Sequence, residues 1–515
     1  MLKLKFDKDS STLNFISNLC AFFLTYSISF FLSPYIVKTL GSEAYGFASL
    51  ATSFTNYISL ITVALNSLAS RFVSVALFNK EYDKANQYYS SVITANGIIT
   101  AVMVVPCTLF ILFMERFLSV PPELLVDVKI LFALIFAGFF ISLLTSLFNV
   151  AVFVENKLYL NARHNAEGAV IRLFLTIVLF KCFPAHVSFV GMTALVVNLY
   201  IIAWKYHYKR KFLPLLQYNV KHNDKKKVWE LIRAGSWSLL SSISSLLNNG
   251  FNLLLANIFV GPAAMGAIAI AHTLPVVVRS VMGSVSSAFT PNLTRFYAAG
   301  QYEAMENELK KSIRMLSVVM VVPLAGLAAF GETFFKLWQP TENARMLWIL
   351  MILDVASLTF SGSTASVHEI FTVTNRLKGQ AIAVFISGIV NMVVTILLIK
   401  FTNLGVYAVV CTCSLLDIIR NFLFTFPYAA KCIHRKWYTF ILQSLWSFFS
   451  FLLITALFFV VKLFVHSPNN WVSFAVVCGI CGVVGIAINV FLLLSKEQRV
   501  VFLGKIFKKL NVTEK

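Results

Sequence analysis

Long apolar segments recur along the whole chain, and this recurrence limits the possible folds more than any other feature of the sequence. A helix needs about 20 predominantly apolar residues to cross the hydrocarbon core of a bilayer. Fourteen segments meet that requirement, at approximately 14–37, 46–70, 90–113, 128–152, 158–180, 186–205, 236–259, 264–289, 314–336, 346–371, 379–400, 404–428, 440–465 and 471–494. They use most of the 515 residues, so no large soluble domain fits beside them. We therefore predict an all-α polytopic membrane protein with about fourteen transmembrane helices.

The composition excludes the usual classes of soluble protein. Apolar residues make up 58% of the chain and charged residues only 13%, against about 45–50% and about 25% in ordinary soluble domains. These fractions are incompatible with a cytosolic enzyme, a secreted disulfide scaffold or a disordered chain. The eight cysteines lie mostly in apolar segments, and the close pair Cys478 and Cys481 has no second pair and no flanking histidine. We interpret them as packing residues rather than as zinc ligands or a redox pair.

The positions of the basic residues predict the orientation of the chain. The formal net charge is +21, and Lys and Arg accumulate on the cytoplasmic loops of membrane proteins. With the N-terminus inside, 32 of the 43 basic residues fall on the cytoplasmic side, 8 fall on the opposite side and three lie within spans. This asymmetry predicts that both termini are cytoplasmic. No small-residue cleavage site follows the first span, so we expect a retained helix rather than a removed signal peptide.

The longest polar stretch predicts where the chain divides. Nine basic residues lie between Lys205 and Arg233, and they either contact anionic lipid headgroups or serve only as a topology signal. The predicted parts are a six-helix lobe at 1–208, a basic linker at 209–232, a second six-helix lobe at 233–432, helices 13 and 14 at 433–495, and a cytoplasmic tail at 496–515. Apolar positions between Val500 and Leu510 share one helical face opposite three lysines, which predicts an interfacial amphipathic helix.

An internal repeat relates the two predicted lobes. After a shift of 220 residues, Gly41-x4-Gly46 falls on Gly261-x4-Gly266. The repeat spans six helices, an even number, so both copies share one orientation in the membrane. Each motif follows directly after a span, where glycine gives backbone freedom and allows close helix approach. Transporters built from repeats place the substrate between the copies and alternate access to it.

Polar side chains form stripes along several predicted spans. A charge at mid-bilayer costs at least about 2.5–3.5 kcal/mol on insertion scales, so such groups should face a cavity or one another. Helical spacing gives one stripe on span 7, at Ser241, Ser245, Asn248 and Asn252, and one on span 10, at Asp354, Ser357, Ser361, Thr364 and His368 with Glu369 adjacent. The alternative is that the Ser, Thr and Asn side chains only form hydrogen bonds between packed helices.

Three arginines lie within the predicted spans. Arg172 and Arg279 have no acidic residue three or four positions away, which favours cations that face a cavity. Arg420 follows Asp417 by three residues, so these two residues either form a structural ion pair or belong to the cavity. Arg163, His164 and Glu167 lie near the cytoplasmic end of span 5, where interfacial solvation explains them.

We therefore predict a polar cavity enclosed by the two lobes. Its candidate substrate residues are Arg172, Arg279, Arg420, Asn248, Asn252, Ser357 and Ser361. Candidates for coupling to a cation are Asp354, Glu369 and Asp417, although each acid could instead pair with an arginine. The sequence has no Walker A motif, no His/Glu zinc motif and no convincing Ser/His/Asp arrangement. We expect no catalytic residues, no cofactor, no metal and no nucleic-acid partner.

The turn after span 1 carries a family resemblance. The segment Pro34–Gly46 contains Leu-Gly-x-x-x-Tyr-Gly. With the fourteen spans and the echo at Gly261–Gly266, the chain resembles the Wzx-like oligosaccharide flippases, the polysaccharide-exporter branch of the MOP superfamily, over nearly its whole length. The resemblance implies export of undecaprenyl-diphosphate-linked oligosaccharide across a bacterial inner membrane, for O-antigen, capsule or exopolysaccharide assembly. We expect membrane lipids as partners, with a polysaccharide polymerase and glycosyltransferases as further candidates, and H⁺ or Na⁺ as the candidate coupling ion.

The predicted cavity suits such a substrate. A sugar that enters hydrocarbon loses its bound water at several kcal/mol per unsatisfied hydroxyl, whereas an isoprenoid tail is at home there. The arginines would neutralise the diphosphate, and Asn248, Asn252 and the hydroxyls of span 10 would contact sugar. The alternatives are a lipid II flippase, a multidrug/cation antiporter of the same superfamily, and a membrane scaffold that transports nothing. An antiporter for cationic drugs should have an acid-dominated cavity, whereas this one has at least as many arginines.

Overall fold

The protein is represented by a computed structural model that describes residues 8–362, 364–465, 468, 470–494 and 498–499, without the side chains of residues 8–12, 15 and 249. All regular secondary structure within these residues is helical. By their contacts, the helices group into two units, Met1–Ile270 and Ala271–Lys515. Apart from residues 498 and 499, the predicted amphipathic tail at 496–515 lies outside the described residues.

The first unit is formed by α1 to α10 and nearly all of α11. Their bounds are α1 Lys8–Leu40, α2 Ser42–Asn66, α3 Ala69–Phe78, α4 Tyr82–Leu112, α5 Leu125–Leu144, α6 Val150–Val154, α7 Tyr159–Cys182, α8 Ser188–Phe212, α9 Lys225–Ser245, α10 Asn252–Phe259 and α11 Pro262–Ala271. A π-helical turn at Leu246–Gly250 joins α9 to α10. Short 3₁₀ turns lie at Met114–Arg116, Pro122–Leu124, Ser146–Asn149 and Val220–His222.

The second unit is formed by α12 to α22. Their bounds are α12 Thr273–Ser287, α13 Thr290–Ala298, α14 Tyr302–Trp338, α15 Ala344–Val355, α16 Leu358–Ser361, α17 Glu369–Val373, α18 Leu377–Phe401, α19 Val406–Arg420, α20 Phe426–Cys432, α21 Thr439–Phe464 and α22 Trp471–Leu493. A 3₁₀ turn at Ala365–His368 precedes α17, and a π-helical turn at Asn421–Thr425 joins α19 to α20.

Twelve helical segments of the described chain are long and apolar enough to cross a membrane. They correspond to twelve of the fourteen predicted spans, and the two others fail for different reasons. In α7, every 18-residue window contains three charged residues, because Arg163, Glu167, Arg172 and Lys181 are spread along it. The segment 346–371 is not one helix, as predicted, but is broken into α15, α16 and α17. The all-helical membrane fold is confirmed, while the count of fourteen stays a prediction.

Close contacts between glycine and neighbouring backbone explain how the helices of the first unit pack. A Cβ atom on Gly235 of α9 would overlap the carbonyl oxygen of Ala64 on α2. The first glycine of each repeated motif has positive φ, 87° at Gly41 and 126° at Gly261, a conformation that favours glycine. The backbone freedom predicted for both motifs is thus confirmed.

The division by contacts differs from the division predicted from the sequence. The basic segment at 209–232 was predicted to separate the lobes, yet α9, which follows it, packs along α2 within the first unit. The predicted lobes at 1–208 and 233–432 rest on the internal repeat rather than on contacts, and they stay a prediction.

The long helix α14 organises the second unit. Its residues Ala325, Ala329 and Phe330 are buried against Phe458 of α21 and Cys481 of α22. Cys478 packs against the same apolar cluster, and both thiols are free. Their surroundings support the interpretation of these cysteines as packing residues.

Candidate functional site

A polar cavity of about 470 Å³ lies within the first unit, among α1, α2, α5, α7 and α8. The larger part of its wall is apolar, and hydroxyl and amide groups line the rest, from Ser29, Ser33, Tyr45, Ser49, Thr52, Thr55, Ser142 and Asn198. Among the described residues that line it, the only charged side chain is Arg172, and none is a carboxylate. The cavity is therefore suited to polar and anionic ligands.

Helical spacing and two interhelical contacts position the polar wall. Ser29 and Ser33 lie four residues apart on α1, so they share one face of that helix. Ser142 of α5 donates a hydrogen bond to Oδ1 of Asn198 on α8, over 2.9 Å. The Nδ2 of Asn198 donates to the carbonyl oxygen of Gly138, over 2.7 Å. These bonds fix the Asn198 amide in the wall and hold α5 against α8.

Arg172 of α7 brings the single positive charge to this cavity. Its Nε atom is buried and has no hydrogen-bond partner within the described part of the chain. A buried cation without a counter-charge is costly, and a guanidinium offers a planar fork of donors that matches phosphate or carboxylate. The site therefore has the chemistry to bind an anion.

The second unit holds its arginines differently. Asp354 of α15 accepts a hydrogen bond from Nη2 of Arg279 on α12 at Oδ1, over 2.7 Å, and its Oδ2 lies 2.5 Å from Nδ1 of His272. Arg279 also donates to the carbonyl oxygen of Asp354 over 3.2 Å. Arg279 is thus not an isolated cation. Of the two interpretations of Asp354, the structure agrees with the one in which this acid pairs with an arginine.

Asp417 and Arg420 form the local ion pair that was one of the two interpretations of their spacing. Oδ1 of Asp417 lies 2.8 Å from Nη2 of Arg420, and the two side chains are only 13% and 14% exposed. Arg420 also approaches the hydroxyl of Ser387 at 3.5 Å. This pair neutralises itself within one turn of α19.

The remaining predicted residues do not gather around one wall. Glu369 accepts a hydrogen bond from Thr290 over 3.0 Å. The side chains of Asn248 and Ser361 donate to the carbonyl oxygens of Ser244 and Ser357, both over 2.8 Å. Ser357 is buried, and its hydroxyl has no partner in the described chain. Asn248 and Asn252 belong to the first unit but do not line the cavity of Arg172.

Interruptions in the helices change the phase of the predicted stripes. The stripes on spans 7 and 10 were derived from a regular spacing of 3.6 residues per turn. The π turn at Leu246–Gly250 changes that phase between Ser245 and Asn252, since a π turn takes in an extra residue. The break between α15 and α17 does the same for the residues after Asp354.

A second polar cluster in the first unit differs from its predicted environment. His164 of α7 is only 3% exposed, although interfacial solvation was expected to explain it. Its Nδ1 lies 2.6 Å from Oε2 of Glu167, and its Nε2 lies 2.9 Å from the hydroxyl of Tyr208. Glu167 also accepts hydrogen bonds from Tyr200 over 2.6 Å and from Arg163 over 2.7 Å. The sequence signal for this cluster was the spacing of Tyr200 and Tyr208. It puts both hydroxyls of α8 near one face, which lies opposite the polar residues of α7.

Most polar groups of the cavity wall were not predicted from the sequence. Ser29 and Ser33 on α1, Ser142 on α5 and Asn198 on α8 are polar residues within apolar spans. Their signal was the four-residue spacing of the two serines and the isolated amide of Asn198. Neither feature shows from the sequence alone that the four side chains line one cavity.

Comparisons with known proteins agree with this fold. Residues 11–297 match the family model described as "Polysaccharide biosynthesis protein". The chain is 30% identical over 503 residues to "Uncharacterized membrane protein EpsK" of Bacillus subtilis (strain 168), covering 97% of this chain and 98% of that protein.

Two solved structures share the architecture at low sequence identity. One is lipid II flippase MurJ in an inward closed conformation, with a TM-score of 0.70, 14% identity and coverage of 96% of this chain and 100% of that one. The other is an inward-facing multidrug resistance MATE family transporter of the MOP superfamily, with a TM-score of 0.64, 14% identity and coverage of 83% and 94%. At such identities the likeness shows the fold alone. The chain therefore has the MOP-type fold and belongs to the polysaccharide biosynthesis protein family, as its resemblance to Wzx-like exporters predicted.

Proposed function

We propose that this protein is a flippase that moves a polyprenyl-diphosphate-linked oligosaccharide across the bacterial inner membrane by alternating access. The observation that carries the proposal is the position of Arg172 in a polar cavity without carboxylates. Membership of a polysaccharide biosynthesis family supports a role in surface glycan assembly. The undecaprenyl carrier, the inner-membrane location and the cytoplasmic position of both termini are parts of this proposal.

The chemistry of the cavity matches a sugar diphosphate headgroup. The diphosphate needs a cation with several donors, which the Arg172 guanidinium offers. The sugar hydroxyls need partners to replace water, because each unsatisfied group costs several kcal/mol in an apolar medium. Ser29, Ser49 and Thr52 offer both donors and acceptors for them.

The second unit contains a separate surface that suits an isoprenoid chain. An apolar groove of about 570 Å³ lies among α12, α14, α21 and α22. Valine and phenylalanine make up half of its lining residues, including Val278, Val322, Phe330, Phe334 and Phe474. A hydrocarbon chain gains by burying apolar surface there and loses no hydrogen bond.

We further propose that transport is coupled to the uptake of H⁺ at Asp354. Asp354 shares its carboxylate between His272 and Arg279, so a proton at this site would change the pairing of both partners. Asp417 is paired within its own helix, and Glu369 is bound to the hydroxyl of Thr290. These two acids are second candidates for the same role, with Na⁺ as the alternative ion.

The cavity disfavours one alternative and leaves another to experiment. An antiporter for cationic drugs would need a negative charge in its binding site, and no carboxylate is among the described residues that line this cavity. A lipid II flippase would handle the same sugar diphosphate chemistry. A scaffold that transports nothing would not need the positive charge of Arg172.

Complementation of a strain that lacks this gene tests the proposal. Arg172→Ala should reduce surface polysaccharide at least tenfold and cause lipid-linked units to accumulate on the cytoplasmic leaflet, with protein level and melting temperature unchanged. The matched control is Arg163→Gln on the same helix, because Arg163 is 67% exposed and does not line the cavity. Normal polysaccharide from Arg172→Ala at normal protein level would overturn the proposal. Rescue of cell-wall synthesis in a strain depleted of its lipid II flippase would favour that alternative instead.

A further inference from the structure

A surface cavity with an apolar side and a basic rim lies far along the chain from the candidate site. A cavity of about 460 Å³ opens in the second unit, beside the π turn at Asn421–Thr425, α20 and the loop that follows α20. One side of it is apolar, with Leu423, Phe424 and Pro427, and its rim is basic, with Lys431, His434 and Arg435. Nothing in the proposed transport route uses this cavity.

The apolar wall follows from a local interruption of the helix. Pro427 has no backbone N–H to donate, and the π turn at Asn421–Thr425 lies directly before α20. Leu423, within this turn, is 77% exposed. Tyr428 closes the wall from inside, since its ring stacks on Phe424 and Phe371 at centroid distances of 5.1 and 5.5 Å.

The basic rim is set by how α20 ends. His434 has φ 57°, and the N–H of Arg435 bonds to the carbonyl oxygen of Ala430 over 2.9 Å. This left-handed helix end turns the chain back, so that His434 and Arg435 join Lys431 at one rim. Arg435 pairs with Glu306 at 2.7 Å, but Glu306 also binds Lys310 at 2.7 Å. One carboxylate thus serves two cations, and the rim keeps an excess of positive charge with the exposed Lys431.

We propose that this cavity binds the headgroup of an anionic phospholipid. The phosphate would lie on Lys431, His434 and Arg435, while the first part of an acyl chain would lie against Leu423 and Phe424. Basic pockets at a membrane surface attract anionic headgroups, and the described lining contains no carboxylate to oppose one. The apolar wall is the feature that a free phosphate would not need.

The aromatic side chain at the mouth supports a lipid rather than a soluble anion. Trp437 lines the cavity and is 63% exposed, and tryptophan concentrates at the level of lipid headgroups. Cations in the last turn of a helix also compensate the helix dipole. Lys431 is the basic residue in the last turn of α20. Compensation of the helix dipole would therefore explain Lys431, but it would explain neither the cavity nor Trp437.

Native mass spectrometry of the purified full-length protein tests the proposal. The probes are phosphatidylglycerol, phosphatidylcholine with the same acyl chains, and inorganic phosphate. We expect wild-type protein to retain phosphatidylglycerol at least fivefold better than phosphatidylcholine, and Lys431→Gln to lose most of that preference. The matched control is Lys436→Gln, which removes an exposed charge from the loop that follows α20, because Lys436 does not line the cavity.

Three results would overturn the proposal. They are equal retention of the two lipids, equal loss of preference in the Lys431 and Lys436 variants, and displacement of phosphatidylglycerol by inorganic phosphate at equal concentration. If Lys431→Gln fails to fold, quenching of tryptophan fluorescence by brominated phosphatidylglycerol gives a second measurement. Trp437→Phe should then remove a saturable part of the quenching, and no change in that part would contradict the site. The outcome is independent of the transported substrate.

Discussion

Gly46 and Gly266 pack so closely that a Cβ atom on Gly46 would lie 2.9 Å from the Cα atom of Gly266. Each is the second glycine of one copy of the repeated Gly-x4-Gly motif. A Cβ atom on Gly266 would in turn overlap the carbonyl oxygen of Ser42. The two copies of the motif therefore meet at one contact, which explains why both keep a glycine at this position.

Substitution of Gly266 should destabilise the protein. Gly266→Val would force the backbone of α2 and α11 apart, and overpacking of this kind costs about 1–3 kcal/mol. The expected result is a lower melting temperature of the purified protein. Gly283→Ala is the control, because a Cβ atom there would meet no heavy atom within 4 Å and alanine favours the helix. Equal melting temperatures for the two variants would contradict the close contact.

Arg279 and Asp354 should show strong energetic coupling. Removal of one partner from a buried ion pair costs about 3–5 kcal/mol, because it leaves the other charge uncompensated. We expect Arg279→Met and Asp354→Leu each to lower the melting temperature, and the double variant to lower it by less than the sum of the two single effects. Lys336→Gln is the control, since Lys336 of the Glu332 pair is 63% exposed and such pairs contribute about 0–1 kcal/mol. Additive effects of the two single changes would show that the pair does not stabilise the fold.

The hydroxyl of Tyr208 should stabilise the buried His164. Tyr208→Phe removes the hydrogen bond to Nε2 of His164, which should cost about 0.5–1.5 kcal/mol. Tyr206→Phe is the matched control two residues earlier, because Tyr206 is 45% exposed. Thermal unfolding of both variants gives the comparison. Equal stability of the two would mean that the His164 cluster is held by Glu167 and its other partners alone.

Apolar length and charge placement made most of the fold predictable from the sequence. Twelve predicted spans match helices of sufficient length and hydropathy. The prediction of a span needs only the residues of that span. The two others depend on features that a count of apolar residues does not contain. Charges spread along α7 do not prevent a helix, and α15 and α16 are separate helices within one apolar segment.

The candidate site was less predictable, because it depends on contacts between distant residues. Arg172 could be singled out as an arginine with no local partner, and the structure places it in a polar cavity. Arg279 has the same local signature, yet its partner Asp354 lies 75 residues away. Spacing along one helix cannot distinguish an arginine that lines a cavity from one that pairs with an acid on another helix, because the distant acid must also be known.

Cysteine labelling tests the predicted orientation in the membrane. The excess of basic residues predicts that the segment that contains Lys226 lies in the cytoplasm and that the turn that contains Glu123 lies on the opposite side. Both residues are exposed, so a cysteine at either position should react with a maleimide that reaches it. In a background without the eight native cysteines, a membrane-impermeant maleimide added to intact spheroplasts should label Glu123→Cys and leave Lys226→Cys unlabelled. Labelling of Lys226→Cys should appear only after the membrane is opened. The reverse pattern would show that the whole topology is inverted, and it would contradict the cytoplasmic position of both termini.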